Sequence, residues 1–235
     1  MRINAVCEYN NGGYLIYAAD LPGAYVRGET QNQALAKFDG EVRSYLRWCG
    51  IKLPANEEIE VGITQRKLSE LQICDADSDV LFDTERAPLT PEEYQKLKLL
   101  ALRSARDFNK IFQAIENPSI SDRPERTSFY GLVPRTPLQM YEHTNRTTAY
   151  YAAAFGIEME NAADIYANRM LLFSEIEVLE DFLSDRGYTA PDGEAWTLRK
   201  LLRRLIWHDR IHAKAMWRTA VSLWGSAIPN PFYFR

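Results

Sequence analysis

A chain of 235 residues with 46% hydrophobic and 26% charged side chains can form one large or two small globular domains, and its composition is that of a globular protein and suggests neither disorder nor a fibre. Its formal net charge of -4 argues against nucleic acid as the main partner, and the local basic run Arg199, Lys200, Arg203 and Arg204 is read as the solvated face of the last helix. No stretch approaches the roughly 18 consecutive apolar residues of a membrane span. Residues 1–10 carry no leader pattern, and Cys7, Cys49 and Cys74 lack CxxC spacing, so a cytoplasmic protein with reduced thiols and no membrane partner is expected.

Residues 2–9 and 13–19 read as the two strands of a hairpin, because Asn10-Asn11-Gly12-Gly13 supplies the residues a tight turn prefers. Leu21-Pro22-Gly23 interrupts the chain, and residues 25–28 follow as a third strand. Thr30-Gln31-Asn32-Gln33 is a capping box that opens a helix running to about Cys49, with Gly50 at its end. Residues 59–64 alternate apolar and polar side chains and return to the sheet. The expectation is an α+β domain over residues 1–70, a small antiparallel sheet with one helix. Residues 71–89, polar and partly acidic, read as a linker with a short strand near Val80-Leu81-Phe82.

Thr90-Pro91-Glu92-Glu93 then combines an N-cap threonine, a proline at the first helical position and a glutamate at the third, and Thr136-Pro137-Leu138-Gln139 repeats the device. Helical patterns cover about 91–116, 137–154, 161–186 and 197–224, with Gly156, Gly187 and Gly225 near three of their ends. These predict an all-α four-helix bundle over residues 90–235. Pro118, Pro124 and Pro134 mark the connection 117–136 as a crossover or a flap, and Pro229-Asn230-Pro231 makes the tail extended.

The chain has three histidines, and His208 and His212 stand four residues apart, on one face of a helix. Leu198, Leu201, Leu205, His208, His212, Ala215 and Thr219 form one stripe, and Met140, His143, Thr147, Tyr150 and Ala154 form another, so all three imidazoles are expected to point inward. Buried imidazoles need partners for their ring nitrogens, which a shared metal ion supplies as well as carbonyls or acids do; spacing alone leaves both readings open. Thr147 and Tyr150 are candidate pocket-lining groups, although an inward tyrosine also serves as plain core. Glu142 and Asp209 project about 100 degrees away from the histidines and are not assigned as general bases, and no catalytic residue is assigned. Trp207, Trp217, Trp224 and Phe232-Tyr233-Phe234 suit packing, a pocket or a dimer interface.

Tyr141-Glu142-His143-Thr144, together with the segment from Trp196-Thr197-Leu198 to Trp207-His208-Asp209-Arg210-Ile211-His212, resembles the DinB-like, YfiT-type helical bundle family over residues 90–224. The resemblance implies a divalent ion (zinc, nickel, iron or manganese) held by His143, His208 and His212. It also implies a thiol-dependent transferase in which a low-molecular-weight thiol attacks an electrophilic substrate. A metal-dependent hydrolase and a non-catalytic metal-containing protein are its alternatives. Asp20-Leu21-Pro22-Gly23, Gly28-Glu29-Thr30 and the helix containing Ala34 resemble the HicB-like fold of certain antitoxins, which implies a module for a protein partner or for homodimerisation. No DNA-binding segment of the kind some such antitoxins carry follows it.

Overall fold

The Asn11-Gly12 turn joins β1 (Arg2–Asn10) to β2 (Gly13–Ala18), and Asn10 pairs directly with Gly13. The computed structural model describes residues 1–128, 131–184, 186–190, 192–225 and 227–235. They divide into two units, Met1–Thr84 with Phe232–Arg235, and Glu85–Pro231. The whole is mixed α+β, a four-stranded sheet followed by a mostly helical part. Among the described residues no helix is long and apolar enough to cross a membrane.

In the first unit β3 (Tyr25–Gly28) and β4 (Glu60–Leu68) complete a sheet in the order β3-β2-β1-β4. The β1–β2 and β2–β3 pairs are antiparallel, but β4 runs parallel to β1, so the wholly antiparallel sheet expected from the sequence is corrected to a mixed one. The chain leaves β3 at one edge and reaches β4 at the other, and a parallel return of that kind needs a long crossover. Two helices supply it where one was expected: α1 (Gln31–Leu35) and α2 (Phe38–Trp48), separated at Ala36-Lys37. The break lets Ala34 bury against β2 and β3 while Lys37 donates from Nζ to the Arg27 carbonyl at 2.6 Å.

Thr30 and Gln33 form the predicted capping box. Gly28 just before it has no room for a side chain, since a Cβ would stand 2.6 Å from the Ala34 nitrogen. At the other end of the helical crossover Gly50 takes φ +84°, and the bonds Ile51 N to Leu46 O and Gly50 N to Arg47 O form a Schellman closure of α2.

The supposed linker is pinned to this unit as far as Asp83. Ile73, Val80 and Phe82 are buried, and Gln65 donates to the Leu81 carbonyl at 3.0 Å while accepting from Asp83 N at 2.9 Å. No strand forms at Val80-Leu81-Phe82; Gln65 satisfies the backbone there with its side chain instead. The C-terminal aromatics pack in this unit as well, with Phe232 5.2 Å from Trp48 between ring centroids and Ser44 donating to the Phe232 and Tyr233 carbonyls.

The second unit contains α3 (Pro91–Gln113), the short pair β5 (Thr127–Ser128) and β6 (Gly131–Leu132), α4 (Pro137–Ala153), α5 (Ile165–Glu177), the pair β7 (Tyr188–Thr189) and β8 (Ala195–Trp196), and α6 (Leu198–Trp224). Thr90 with Glu93 and Thr136 with Gln139 cap α3 and α4 as complete boxes, with proline at the first turn of each. The helix expected over 161–186 is shorter at both ends. Asp164 rather than a residue near 161 accepts from the Ala167 nitrogen and sets the start. Downstream, the Leu183 carbonyl accepts from Leu89 N, which holds that segment outside any helix; Asp185, also within the expected span, lies outside the described residues, as do Phe129 and Tyr130 in the 117–136 connection.

α6 packs on α3 and α4, and α5 packs on α3 and α4. The basic run at its start is not a solvated face: Lys200, Arg203 and Arg204 are buried. Lys200 meets Glu194 at 2.8 Å and the Ala195 carbonyl at 2.7 Å, and Arg203 is paired with Glu85. Arg204 lies over the Trp207 ring at 4.6 Å. These charges are inside because carboxylates and an aromatic face meet them, Glu85 from far along the chain and Glu194 and Trp207 from close by.

One buried carboxyl gives the first unit a pH dependence. Glu8 is fully buried on β1, where its oxygens accept from the Ser78 hydroxyl and from Asp79 N, beside the Lys67–Asp79 ion pair. Burial, first of all, raises its pKa to about 7 from an ordinary 4.5. A folded state that holds a proton the unfolded chain releases is favoured at low pH, so this contribution is complete below 4.5 and is lost as pH rises towards 7. Unfolding free energies from urea denaturation at pH 5 to 8 should fall with pH by an amount on the order of 3 kcal/mol. Glu8→Gln, which mimics the protonated acid, should flatten that fall; an equally steep fall in the variant would assign it to other groups.

Candidate metal centre

Helices α4 and α6 carry the three histidines. The inward face of α4 is formed by Met140, Tyr141, Thr144, Thr148 and Tyr151, a stripe turned by one residue from the one the sequence suggested. Tyr141 causes the turn. Its ring stacks on Phe112 at 4.2 Å, and its hydroxyl accepts from Ile165 N at 3.1 Å at the start of α5. His143 and Thr147 consequently sit at the margin of the buried face, half-buried, and Tyr150 is 51% exposed. Tyr150 donates to Asp192 at 2.8 Å.

On α6, His208 is buried and His212, one turn on, is half-buried. The ring centroids lie 5.1 Å apart for His143 and His208, 4.8 Å for His143 and His212, and 4.6 Å for His208 and His212. One ligand nitrogen from each falls within 4.8 Å of the others, close enough for one metal ion to bind all three. Thr147 brings its Oγ1 to 3.2 Å from His208 Nδ1, and the Tyr151 ring stands edge-on to His208 at 6.2 Å.

The electrostatics favour the uncharged imidazoles that a metal requires. Burial, and then the neighbouring His212 and His143, hold His208 well below its ordinary pKa of 6.5. His143 is lowered by burial and by the Arg146 guanidinium. At neutral pH both rings therefore keep a lone pair for an ion, and neutral imidazole suits zinc, nickel, iron and copper. The donor set fits a divalent ion with three protein ligands and open positions.

Behind the histidines lies a group that sequence reasoning missed. Asp209 is fully buried and accepts from Arg169 at 2.8 Å, and the same guanidinium donates at 2.6 Å to Thr148 on α4. Burial raises the Asp209 carboxyl, and the Arg169 charge opposes that rise. The available signal was on α5: Arg169 falls on the apolar line Ile165, Leu172, Phe173 and Ile176, all buried, where a lone cation needs a buried anion. Glu142, the other acid beside a histidine, is exposed.

No protein-family model matches this chain, and no curated protein and no solved structure matches it.

Removing one partner of a buried ion pair strands the other without water, which costs about 3 to 5 kcal/mol, whereas replacing both by apolar groups is far milder. Arg169→Met should therefore lower unfolding stability by about that amount, and Arg169→Met combined with Asp209→Leu should recover most of it. Urea denaturation of the three proteins checks this; a double variant as unstable as the single one would show that packing, not charge, dominates here.

Proposed function

We propose that helices α3 to α6 form a four-helix bundle of the DinB-like, YfiT type, and that it is a metal-dependent transferase which joins a low-molecular-weight thiol to an electrophilic substrate. The observation that carries the reading is the meeting of His143, His208 and His212, from two helices some sixty positions apart in sequence, with ligand nitrogens within 4.8 Å. Zinc, nickel, iron or manganese is the ion of this reading.

When bound, such an ion lowers the pKa of a coordinating thiol and so supplies thiolate at neutral pH. The chain's contribution is to hold three imidazoles at one point and to leave the remaining positions for exogenous ligands. A thiol cosubstrate is favoured by the distribution of sulfur: Cys7, Cys49 and Cys74 all belong to the first unit, so the unit with the histidines has no cysteine of its own. The first unit is proposed as a HicB-like module for a protein partner or a second copy of the chain. The residues that carry that resemblance have structural tasks there: Asp20 accepts from Asn4 N at 2.9 Å, Gly28 gives clearance to Ala34, and Thr30 caps α1.

Elemental analysis of untagged protein should find about one divalent ion per chain in the wild type and none retained by His143→Ala, His208→Ala or His212→Ala. Equal metal in all four would sink the site. Incubation of the metal-loaded protein with a panel of cellular thiols and a generic electrophile should give turnover that the His208→Ala variant lacks while remaining folded. Turnover with no thiol in the panel would overturn the transferase assignment and leave a metal-binding protein.

A further inference from the structure

Thr147 carries an inference that rests on the metal reading and adds a further residue to it. Its Oγ1 makes two contacts, 2.8 Å to the Thr144 carbonyl oxygen within α4 and 3.2 Å to Nδ1 of His208 on α6. A threonine hydroxyl has one proton and two lone pairs. A carbonyl oxygen can only accept, and two oxygens 2.8 Å apart without a proton between them would set lone pair against lone pair. The proton therefore points back to Thr144, a bond that threonines commonly make one turn earlier in a helix. What Thr147 turns towards His208 is a lone pair.

We infer that Thr147 is a positioning residue for the metal site: its hydroxyl oxygen accepts the Nδ1–H of His208, fixing that imidazole in the Nδ1–H tautomer and leaving Nε2 as the nitrogen that binds the ion. A neutral imidazole carries a single N–H, so a proton held at Nδ1 keeps Nε2 bare. The edge-on Tyr151 ring and the low exposure of His208 oppose a flip of the imidazole that would exchange its two edges. An outer partner of this kind orients a metal-bound histidine and raises its basicity, and its loss typically costs 10- to 100-fold in metal affinity. Thr147 follows His143 by one turn, so α4 supplies both a ligand and the group that orients a ligand on α6.

The test compares wild type, Thr147→Val, which keeps the shape and removes the hydroxyl, and Thr147→Ser, which keeps the hydroxyl. Zinc affinity of the full chain, measured by competition with a chelator, should fall about 10- to 100-fold in the valine variant and stay within about threefold in the serine variant. Long-range proton–nitrogen correlation spectra of the metal-free protein, labelled with 15N-histidine, read the tautomer without any ion. His208 should be protonated at Nδ1 in the wild type and the serine variant, and should populate both tautomers in the valine variant. Protonation at Nε2 in the wild type would overturn the inference, as would zinc affinity in the valine variant equal to that of the wild type. If the wild type binds no zinc while His208 shows the Nδ1–H tautomer, the metal reading fails and the role of Thr147 in orienting the ring stands.

Discussion

A guanidinium or ammonium group taken out of water costs several kcal/mol unless an anion or an aromatic face meets it, and α6 buries Lys200, Arg203, Arg204 and Arg210. Most of the partners lie off the helix in the second unit, Glu85 ahead of α3, Glu194 just before β8 and the ring of Trp196, while the Trp207 ring on α6 itself covers Arg204. Asp209 reverses the sign, a buried anion on α6 met by a cation on α5. A helix constrained in this way cannot slide by one residue or rotate by a hundred degrees, because each such movement would leave several charges stranded. The directions in which His208 and His212 point are a consequence of that register.

The rotation of α4 has a separate cause. Tyr141 is held by stacking on Phe112 and by the hydrogen bond from Ile165 N, and once it is inward His143 must stand at the edge of the buried face. The separation of the imidazoles is thus the joint result of two constraints, ion pairing for α6 and one tyrosine for α4. That placement at a margin suits the proposed chemistry, since a histidine sunk in the middle of the apolar stripe would leave no approach for a second reactant.

Local features were legible from the sequence, and long-range ones were not. Capping boxes at Thr30, Thr90 and Thr136 and the Asn11-Gly12 hairpin involve only residues within a few positions, and the structure contains all of them. The histidine pair was legible because a spacing of four on a helix fixes a shared face. The inward stripe of α4 was displaced by one because Met140 and Tyr141 are both apolar, and only the Ile165 and Phe112 partners of Tyr141 decide between the two faces. The basic run looked solvated because its partners, Glu85 and Glu194, carry no mark in sequence that links them to Arg203 and Lys200. The parallel direction of β4 and the Arg169–Asp209 pair were hidden for the same reason, that pairing across the fold has no local signature.

Arg169 connects these threads. Its two terminal nitrogens reach Thr148 on α4 and Asp209 on α6, and those residues immediately follow Thr147 and His208. At one level of the fold, then, α4 and α6 are joined twice, by a charged clamp from α5 on the inner side and by the Thr147–His208 contact on the side of the histidines. Neither link involves a metal ion. A small zinc domain commonly draws its folding free energy from the metal and is unfolded without it. Here caps, ion pairs and aromatic stacking hold the ligand helices without any metal ion, so an ion bound by the three imidazoles would have little of the fold left to order.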